Sequence, residues 1–489
     1  MNYDLIVIGG GAAGLTSSGM AASLGMKTLM VEADRLGGDC TWTGCIPSKA
    51  LLHIASDWYR SAKADVFTDG VSTRKLDFKK VRAEVHRIRE LVYDEADRPD
   101  IYRSMGVEVA FGRAAFTGPN TITISDGHSV RSETSRFFVV ATGSKPTIPP
   151  IGGLESVPHL TNESLFELSE LPERLLIVGG GPIGCEMAQA FRRLGSEVAI
   201  VEMSDRLLPR DDPKATAVLQ SALKAEGVEL ILGSKVDRVE MSGSKISCHI
   251  ITPIGASTYM ASHILLATGR TPNTAGLSLE RAGVHLDNGA ASVDLRCRTN
   301  VRHIYAAGDV AGRHAFTHMA EHMAKTAVTN IALKIPKRME VNTIPWVTYT
   351  DPEVAALGSN EQELLKSGVH FDTYEFPYGK VDRALAEGEQ PGLIRVFARP
   401  RDGKIYGASI VGKGAGDMVG ELALAMRNGI SLRKISDTIH AYPTYALGVR
   451  RAADQWYVRK QSVLLVKTLK RLFGYRGQLP DLSDPKAVK

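Results

Sequence analysis

The N-terminal stretch reads Leu5-Ile6-Val7-Ile8-Gly9-Gly10-Gly11-Ala12-Ala13-Gly14. Its apolar first half predicts a buried strand, which turns through Gly9, Gly11 and Gly14 into a helix. Glycines at this spacing allow a tight turn, close approach of a pyrophosphate and close packing of the helix on the strand. The N–H groups at the start of the helix would hold that pyrophosphate. A second strand ends on Glu32, whose carboxylate can accept a hydrogen bond from a ribose.

The same pattern returns between residues 175 and 202. An apolar strand leads into Gly179, Gly181 and Gly184, and a helix and a strand that ends on Glu202 follow. In both copies 18 residues separate the last glycine from the acidic residue. Two chance matches with equal spacing are improbable, so we interpret the pattern as an internal repeat. The chain is therefore predicted to bind two dinucleotides.

Other strand ends carry small residues or a carboxylate that suit a cofactor site. One buried strand closes on Thr142 and Gly143, and a second closes on Gly269. A third strand delivers Asp309 directly after a glycine, where its carboxylate could reach the sugar-alcohol hydroxyls of a cofactor. From Pro345 the pattern changes to short antiparallel strands with helices. The fold class predicted from these elements is α/β, with two doubly wound Rossmann-like domains and a third α+β domain.

Two cysteines follow the first repeat, in the stretch Gly37-Gly38-Asp39-Cys40-Thr41-Trp42-Thr43-Gly44-Cys45-Ile46-Pro47-Ser48-Lys49. We interpret them as a redox-active disulfide that closes a short loop at the start of a helix. The positive end of a helix stabilises a thiolate, and Gly38 lets the backbone pass close to a flat ligand. A pair of buried free cysteines is the alternative. The dinucleotide-binding patterns on both sides favour the redox pair.

Length and composition exclude several classes of protein. The chain has 489 residues, enough for three domains, and only five cysteines, too few for a secreted disulfide scaffold. We therefore expect a reducing, cytoplasmic location. Neither a targeting peptide nor an apolar run long enough to span a membrane is expected. No metal-ligand spacing surrounds the cysteine pair, so no zinc site is predicted.

The positive charge lies at the C-terminus. The net charge is +5, yet the last forty residues carry ten Lys or Arg and three Asp or Glu, which leaves −2 for the rest. The body of the chain has no nucleic-acid signature. Residues 456–489 are predicted to form a basic amphipathic tail. The tail could pack on a dimer partner or lie on an anionic membrane surface.

The glycine patterns and the segment Cys40–Lys49 resemble the flavin-dependent pyridine nucleotide–disulfide oxidoreductases. The resemblance covers roughly residues 1–455 and is nearest to mercuric-reductase-like and dihydrolipoamide-dehydrogenase-like members. It implies an FAD-binding domain (1–150 and 272–340), a domain that binds NAD(P) (151–271) and a dimerisation domain (341–455). The chain is accordingly expected to form a homodimer.

The resemblance also implies roles for single residues. Glu32 and Asp309 would help to hold FAD, and the second glycine pattern would hold the nicotinamide nucleotide. Cys40 would meet the substrate and Cys45 would face the flavin. Lys49 and Glu186 match the ion pair of the family beside the flavin.

The C-terminal motif departs from the family. Members that act on dithiols have His-x-His-Pro-Thr and a Glu five residues after the second His. Here Tyr442 stands at the position of that His and Leu447 at the position of the Glu. Because an ordinary Tyr titrates about 3.5 units above His, Tyr442 cannot replace His as a base at pH 7. It can instead donate a hydrogen bond to a thiolate or to a substrate.

We therefore expect an enzyme that passes electrons from NADH through FAD and the Cys40–Cys45 disulfide to an acceptor. The acceptor could be a metal ion such as Hg(II), a small disulfide or a quinone. Mercuric reductases carry a C-terminal cysteine pair, which this chain lacks because its last cysteine is Cys297. A dihydrolipoamide dehydrogenase is the alternative enzyme, and a non-catalytic flavoprotein partner is the alternative of another class. Glu202 favours NAD over NADP, although Arg206 is close in sequence.

Overall fold

The computed structural model describes residues 1–63, 75–313, 315–389, 391–460 and 463–477. The chain forms two compact units. The first comprises Met1–Met203 and Gly227–Val341, and the second comprises Ser204–Glu226 and Asn342–Lys489. Part of the predicted tail, residues 461–462 and 478–489, lies outside the described residues.

The described helices are α1 Ala12–Ser23, α2 Gly38–Trp42, α3 Cys45–Lys63, α4 Phe78–Val92, α5 Pro99–Ser104, α6 Asn162–Leu165, α7 Pro182–Leu194, α8 Pro213–Ala225, α9 Thr317–Ala332, α10 Glu361–Lys366, α11 Asp382–Glu387, α12 Ala415–Arg427, α13 Leu432–Asp437, α14 Leu447–Lys460 and α15 Val463–Phe473. Within the residues that the structure describes, none of these helices is both long and apolar enough to cross a lipid bilayer.

The described strands are β1 Tyr3–Ile8, β2 Thr28–Glu32, β3 Val107–Phe111, β4 Arg113–Gly118, β5 Thr121–Ser125, β6 Val130–Val140, β7 Ser144–Pro146, β8 Arg174–Val178, β9 Glu197–Glu202, β10 Glu229–Leu232, β11 Lys235–Ser242, β12 Lys245–Thr252, β13 Gly255–Ala261, β14 His263–Leu266, β15 Arg270–Pro272, β16 Leu286–Asp287, β17 Ala290–Ala291, β18 Ile304–Ala306, β19 Pro345–Thr348, β20 Glu353–Gly358, β21 Asp372–Pro377, β22 Leu393–Ala398 and β23 Ile405–Gly412.

Two sheets of the first unit share one order of parallel strands. The first contains the parallel run β3-β2-β1-β6, with β18 added in parallel to β6, and continues beyond β6 with the antiparallel strands β5 and β4. The second runs β10-β9-β8-β14. In each sheet the glycine-rich turn follows the central strand, β1 or β8, and the acidic residue ends the next strand. Leu5, Ile6 and Val7 of β1 are fully buried, as strands covered on both faces require. The two doubly wound domains predicted from the repeat are confirmed.

The glycines of the two turns are needed for the same steric reason. A Cβ on Gly14 would lie 1.8 Å from the carbonyl oxygen of Gly9, and one on Gly184 would lie 2.0 Å from that of Gly179. Gly9 and Gly179 themselves have φ values of +107° and +110°. A side chain on Gly14 or Gly184 would push the helix away from its strand, whereas Gly9 and Gly179 have a backbone conformation that favours glycine.

The second unit is built on an antiparallel sheet in the order β19-β20-β23-β22-β21. Helices α12 and α14 contribute apolar residues to its core. Charged groups are also buried in this unit: the Arg395 side chain is 2% exposed and pairs with Asp212, which is itself fully buried, and with Glu361 and Glu375. The unit has the predicted α+β architecture.

Candidate active site

The two cysteines of the predicted redox pair come together at the start of α3. Cys40 lies in α2, and Cys45 is the first residue of α3. The Sγ atoms of Cys40 and Cys45 each lie 3.5 Å from the Oγ1 atom of Thr317, the first residue of α9. The structure contains both residues as free cysteines, Cys40 half-buried and Cys45 exposed. The disulfide between them therefore stays a prediction.

Glycines bring the cysteine loop against the first glycine-rich turn. Gly38 has a φ of +58°, and a Cβ at this position would lie 2.8 Å from the Cα of Gly11. A Cβ on Gly44 would lie 2.8 Å from the carbonyl oxygen of Asp39. A larger residue at Gly38 would push the loop away from the turn, and one at Gly44 would open the loop itself.

The surroundings of the two thiols differ, and negative charge is favoured on Cys45. The pKa of the Cys45 thiol is lowered, first because Cys40 hydrogen-bonds to it and also because of Thr317 and the nearby positive charge of Lys49. The pKa of the Cys40 thiol is raised by its hydrogen bond to Cys45 and by burial. Cys45 also lies at the positive end of α3, which favours a thiolate. The pair can thus hold one thiolate on Cys45 and one proton on Cys40.

Lys49 and Glu186 form an ion pair between the two dinucleotide-binding halves of the first unit. The Nζ atom of Lys49, on α3, lies 2.8 Å from Oε2 of Glu186, on α7. The Glu186 side chain is 5% exposed, and the Lys49 cation offsets part of the cost of burying its carboxylate. The pair lies one helical turn after Cys45 and places a cation next to the thiolate position.

The residues around the first glycine-rich turn fit an FAD. Glu32 Oε2 accepts a hydrogen bond from the Gly10 N–H at 2.6 Å, which fixes the carboxylate beside the turn. The N-terminus of α1 has no side-chain cap, so its N–H groups remain available to a pyrophosphate. Asp309 Oδ2 accepts from Ser144 Oγ at 2.6 Å, and this bond places a second carboxylate beyond β18.

Thr142 and Gly143 close the strand next to that turn. The Thr142 hydroxyl donates to the Asn273 carbonyl at 2.6 Å, which ties this strand end to a neighbouring loop. Gly143 has a φ of +68°, and a Cβ there would meet nothing within 4 Å. The backbone at Gly143 can therefore approach a flat ligand closely.

The second glycine-rich turn repeats this arrangement. Glu202 Oε2 accepts from the Gly180 N–H at 2.6 Å, as Glu32 does from Gly10. A Cβ on Gly181 or Gly269 would meet nothing within 4 Å, so the backbone there is also open to a ligand. Arg206 donates to the Pro209 carbonyl at 2.8 Å.

Sequence reasoning missed two site residues. Thr317 contacts both sulfur atoms but is separated from Cys45 by 272 positions, so no local pattern identifies it. Arg270 pairs with Asp39 at 2.7 Å and donates to Ser144 Oγ at 2.7 Å. Its position directly after Gly269, at a small-residue strand end, was an available signal. Arg270 thereby links the loop of Cys40 to Ser144, the residue that donates a hydrogen bond to Asp309.

The segment around Tyr442 lies in the second unit. The Tyr442 side chain is 71% exposed, whereas Leu447 at the start of α14 is buried. The His440 side chain is 8% exposed, and its Nε2 lies 3.0 Å from Oε1 of Glu421. The one histidine of this segment is therefore held in the protein interior, and the exposed position carries a phenol. Within the described part of the chain, no group of three or more His, Cys, Asp or Glu residues could hold a metal ion.

Comparison with known proteins identifies the family. Residues 3–324 match the family described as pyridine nucleotide-disulphide oxidoreductase, and residues 344–453 match the dimerisation domain of that family. The chain belongs to the pyridine nucleotide-disulphide oxidoreductases. It is accordingly an FAD-dependent NAD(P)H oxidoreductase, as the glycine patterns and the cysteine segment predict.

The relatives carry different names. The chain is 32% identical to a dihydrolipoyl dehydrogenase of Bacillus subtilis, over 92% of this chain and 97% of that enzyme. It is 34% identical to a mercuric reductase of Streptomyces lividans, over 92% of this chain and 96% of that enzyme. The solved Cu(II) complex of RclA from Escherichia coli, an HOCl-induced flavoprotein disulfide reductase, superimposes with a TM-score of 0.84 at 25% identity and covers 93% of this chain and 99% of RclA. The nearly equal identities do not distinguish the acceptors that these names suggest.

Proposed function

We propose that this family member passes two electrons from NADH, through FAD and the Cys40–Cys45 pair, to an oxidised acceptor. The observation that carries the proposal is the pair of cysteines at the start of α3, with Cys45 favoured as thiolate. For a disulfide acceptor, NADH, one proton and the disulfide give NAD⁺ and two thiols. For Hg(II), NADH and the ion give NAD⁺, the elemental metal and one proton.

Several groups of this chain would hold FAD in residues 1–150 and 272–340. They are the N-terminus of α1, the Glu32 and Asp309 carboxylates, and the open backbone at Gly38 and Gly143. When bound, FAD supplies two-electron transfer between a nicotinamide and a disulfide. Lys49 would favour negative charge beside it, and Glu186 would orient Lys49. Cys45 would lie on the flavin side of the pair and Cys40 on the acceptor side.

We propose that residues 151–271 bind NADH in preference to NADPH. Glu202 ends β9 as Glu32 ends β2, and a carboxylate at this point accepts from a ribose 2′-hydroxyl but repels a 2′-phosphate. Arg206 is the basic residue nearest to Glu202 in the sequence. Its bond to the Pro209 carbonyl supports a structural role for its guanidinium rather than phosphate binding.

The acceptor that these residues favour needs no general base at position 442. Tyr442 and Leu447 stand at the positions of the His–Glu dyad with which family members take a thiol proton. A metal ion such as Hg(II), a small disulfide or a quinone fits this site better than dihydrolipoamide. Dihydrolipoamide oxidation would leave a thiol proton without an acceptor near pH 7.

We further propose a cytoplasmic homodimer formed through residues 341–455. By analogy with the family, Tyr442 of the partner subunit would face Cys40 and act as a neutral hydrogen-bond donor. The match of residues 344–453 to the dimerisation domain supports this assembly. The small number of cysteines supports the location.

An acceptor screen with the purified, FAD-loaded protein tests the proposal. NADH oxidation should be fast with Hg(II) or a small disulfide as acceptor. Both NADH oxidation by lipoamide and the reverse oxidation of dihydrolipoamide by NAD⁺ should be slow. If the Cys40→Ser variant still reduces an acceptor, that acceptor is reduced directly by the flavin. Absence of NADH turnover with every acceptor would favour the non-catalytic flavoprotein instead.

A further inference from the structure

The last described helix, α15, lies outside the part of the chain that matches the family. The dimerisation-domain match ends at residue 453, and α15 spans Val463–Phe473. Large apolar side chains of this segment are exposed: Leu464 by 76%, Leu465 by 47%, Leu472 by 70%, Phe473 by 63% and Tyr475 by 60%. The helix therefore presents an exposed apolar surface, and such surfaces usually bind a protein or a membrane.

The apolar and charged residues of α15 lie on different sides. Leu465, Leu469 and Leu472 recur at intervals of four and three residues, which places them on one face, and Phe473 adjoins them. Lys467, Lys470 and Arg471 occupy the opposite side. Leu464 is an exposed apolar residue that lies among the cations. Two aromatic rings end the helix, since those of Phe473 and Tyr475 stack with centroids 5.7 Å apart.

The charge around this helix has one sign. Residues 455–480 contain six Lys or Arg and no Asp or Glu, whereas residues 1–449 carry a balance of −2. Like charges would meet if two such segments packed on each other across a two-fold axis, because such an interface brings the same patch together twice. An anionic surface offers both the opposite charge and an apolar layer beneath it.

We propose that α15 binds the surface of an anionic lipid bilayer. The helix would lie parallel to the membrane, with Leu465, Leu469, Leu472 and Phe473 inserted at the boundary between headgroups and acyl chains. Lys467, Lys470 and Arg471 would contact the phosphates at the headgroup level. Tyr475 would sit at the interface, where a ring with a polar tip is favoured. This contact is independent of electron transfer, so its failure would leave the proposed function unaffected.

Sedimentation of the FAD-loaded full chain with vesicles tests the proposal. The protein should pellet with phosphatidylglycerol-containing vesicles at low salt and stay in solution with pure phosphatidylcholine vesicles. Binding to the anionic vesicles should fall by at least ~10-fold at 0.5 M NaCl, because the charges are then screened. A wild-type protein that stays in solution with anionic vesicles would overturn the proposal.

Two variants separate the apolar and the charged contributions. Leu472→Glu with Phe473→Glu and, separately, Lys467→Glu with Lys470→Glu should each reduce vesicle binding by at least ~10-fold. Ile254→Glu is the matched control, because Ile254 is fully exposed in the first unit and its replacement should leave binding unchanged. Unchanged NADH turnover in all three variants would show that they are folded. Retained vesicle binding by both α15 variants would contradict the proposal.

The alternative is that the apolar face of α15 packs on the partner subunit. Sedimentation velocity without lipid should give the same dimer for wild type and for Leu472→Glu with Phe473→Glu. If this variant is instead a monomer, the apolar face of α15 covers the partner and the membrane proposal is wrong.

Discussion

The cysteine segment, residues 37–49, and the segment 440–447 differ in how far they follow the family. The first retains both cysteines and the lysine that pairs with Glu186 at 2.8 Å. The second has an exposed Tyr442 and a buried Leu447 where dithiol-specific members carry His and Glu. On the proposed function, the retained segment would receive the electrons, and the replaced segment would handle the proton of a thiol substrate. We infer that the two segments serve different halves of the reaction and that divergence concerns the acceptor.

The largest expected effect concerns the retained segment. Cys40→Ser and Cys45→Ser should each lower disulfide or Hg(II) reduction by at least ~10³-fold, because no other described cysteine is exposed or half-buried. The measurement is kcat/KM with NADH held saturating. Cys248→Ser, a change at a fully buried cysteine, is the control and should retain activity. Comparable loss in the control would indicate a folding effect instead.

The next largest effect concerns the replaced segment. Tyr442→His should raise dihydrolipoamide oxidation by ~10-fold, and Tyr442→His with Leu447→Glu by up to ~10²-fold, because general base catalysis contributes on this scale. Leu447 is buried, so Tyr442→His with Leu447→Gln is the control for the polar change alone. Fast dihydrolipoamide turnover by the unmodified protein would show that another base serves this reaction.

Much of the fold could be predicted because it depends on local patterns. The glycine turns and the acidic strand ends recur at equal spacing, and each fixes a strand–turn–helix unit whose sterics leave room only for glycine. The cysteine segment is also local, since the pair, the helix start and Lys49 lie within ten residues. The two doubly wound domains follow from these units, and the third domain follows from the change of pattern after Pro345.

Other parts of the site could not be predicted because they depend on tertiary contacts. Thr317 reaches both sulfurs only because α9 begins beside α3, and nothing near residue 317 in sequence records that. Arg270 meets Asp39 across 231 positions for the same reason. Tyr442 was recognised through a family motif, but the second unit shows only its exposure, so its predicted position near Cys40 stays a prediction.

A smaller effect is expected from Thr317. Thr317→Val should raise the pKa of Cys45 by about one unit, because a hydrogen bond to the thiolate is lost while the shape is kept. Iodoacetamide reacts with the thiolate, which persists only above the pKa of the thiol. As the pH is lowered, the alkylation rate of the variant should therefore fall at a higher pH than that of wild type. The rate of alkylation against pH, measured in a Cys40→Ser background, gives this pKa. Thr317→Ser is the matched control and should retain the wild-type value.

The smallest effect is expected at the coenzyme site. Glu202→Gln should reduce the preference for NADH over NADPH by ~10-fold, because the repulsion of a 2′-phosphate is removed while hydrogen bonding is kept. The ratio of kcat/KM for the two coenzymes measures it. Arg206→Gln serves as the control and should leave the ratio unchanged. A wild-type preference for NADPH would show that the Glu202 assignment is wrong.

Cys45 is proposed to be the thiolate on the flavin side of the pair. The absorbance of the FAD-loaded variants above 500 nm tests it most directly, because a thiolate beside oxidised flavin gives a long-wavelength band. Cys40→Ser should show this band without added reductant, and Cys45→Ser should lack it under all conditions. A band in Cys45→Ser, together with its absence in Cys40→Ser, would contradict the claim and exchange the roles of the two cysteines.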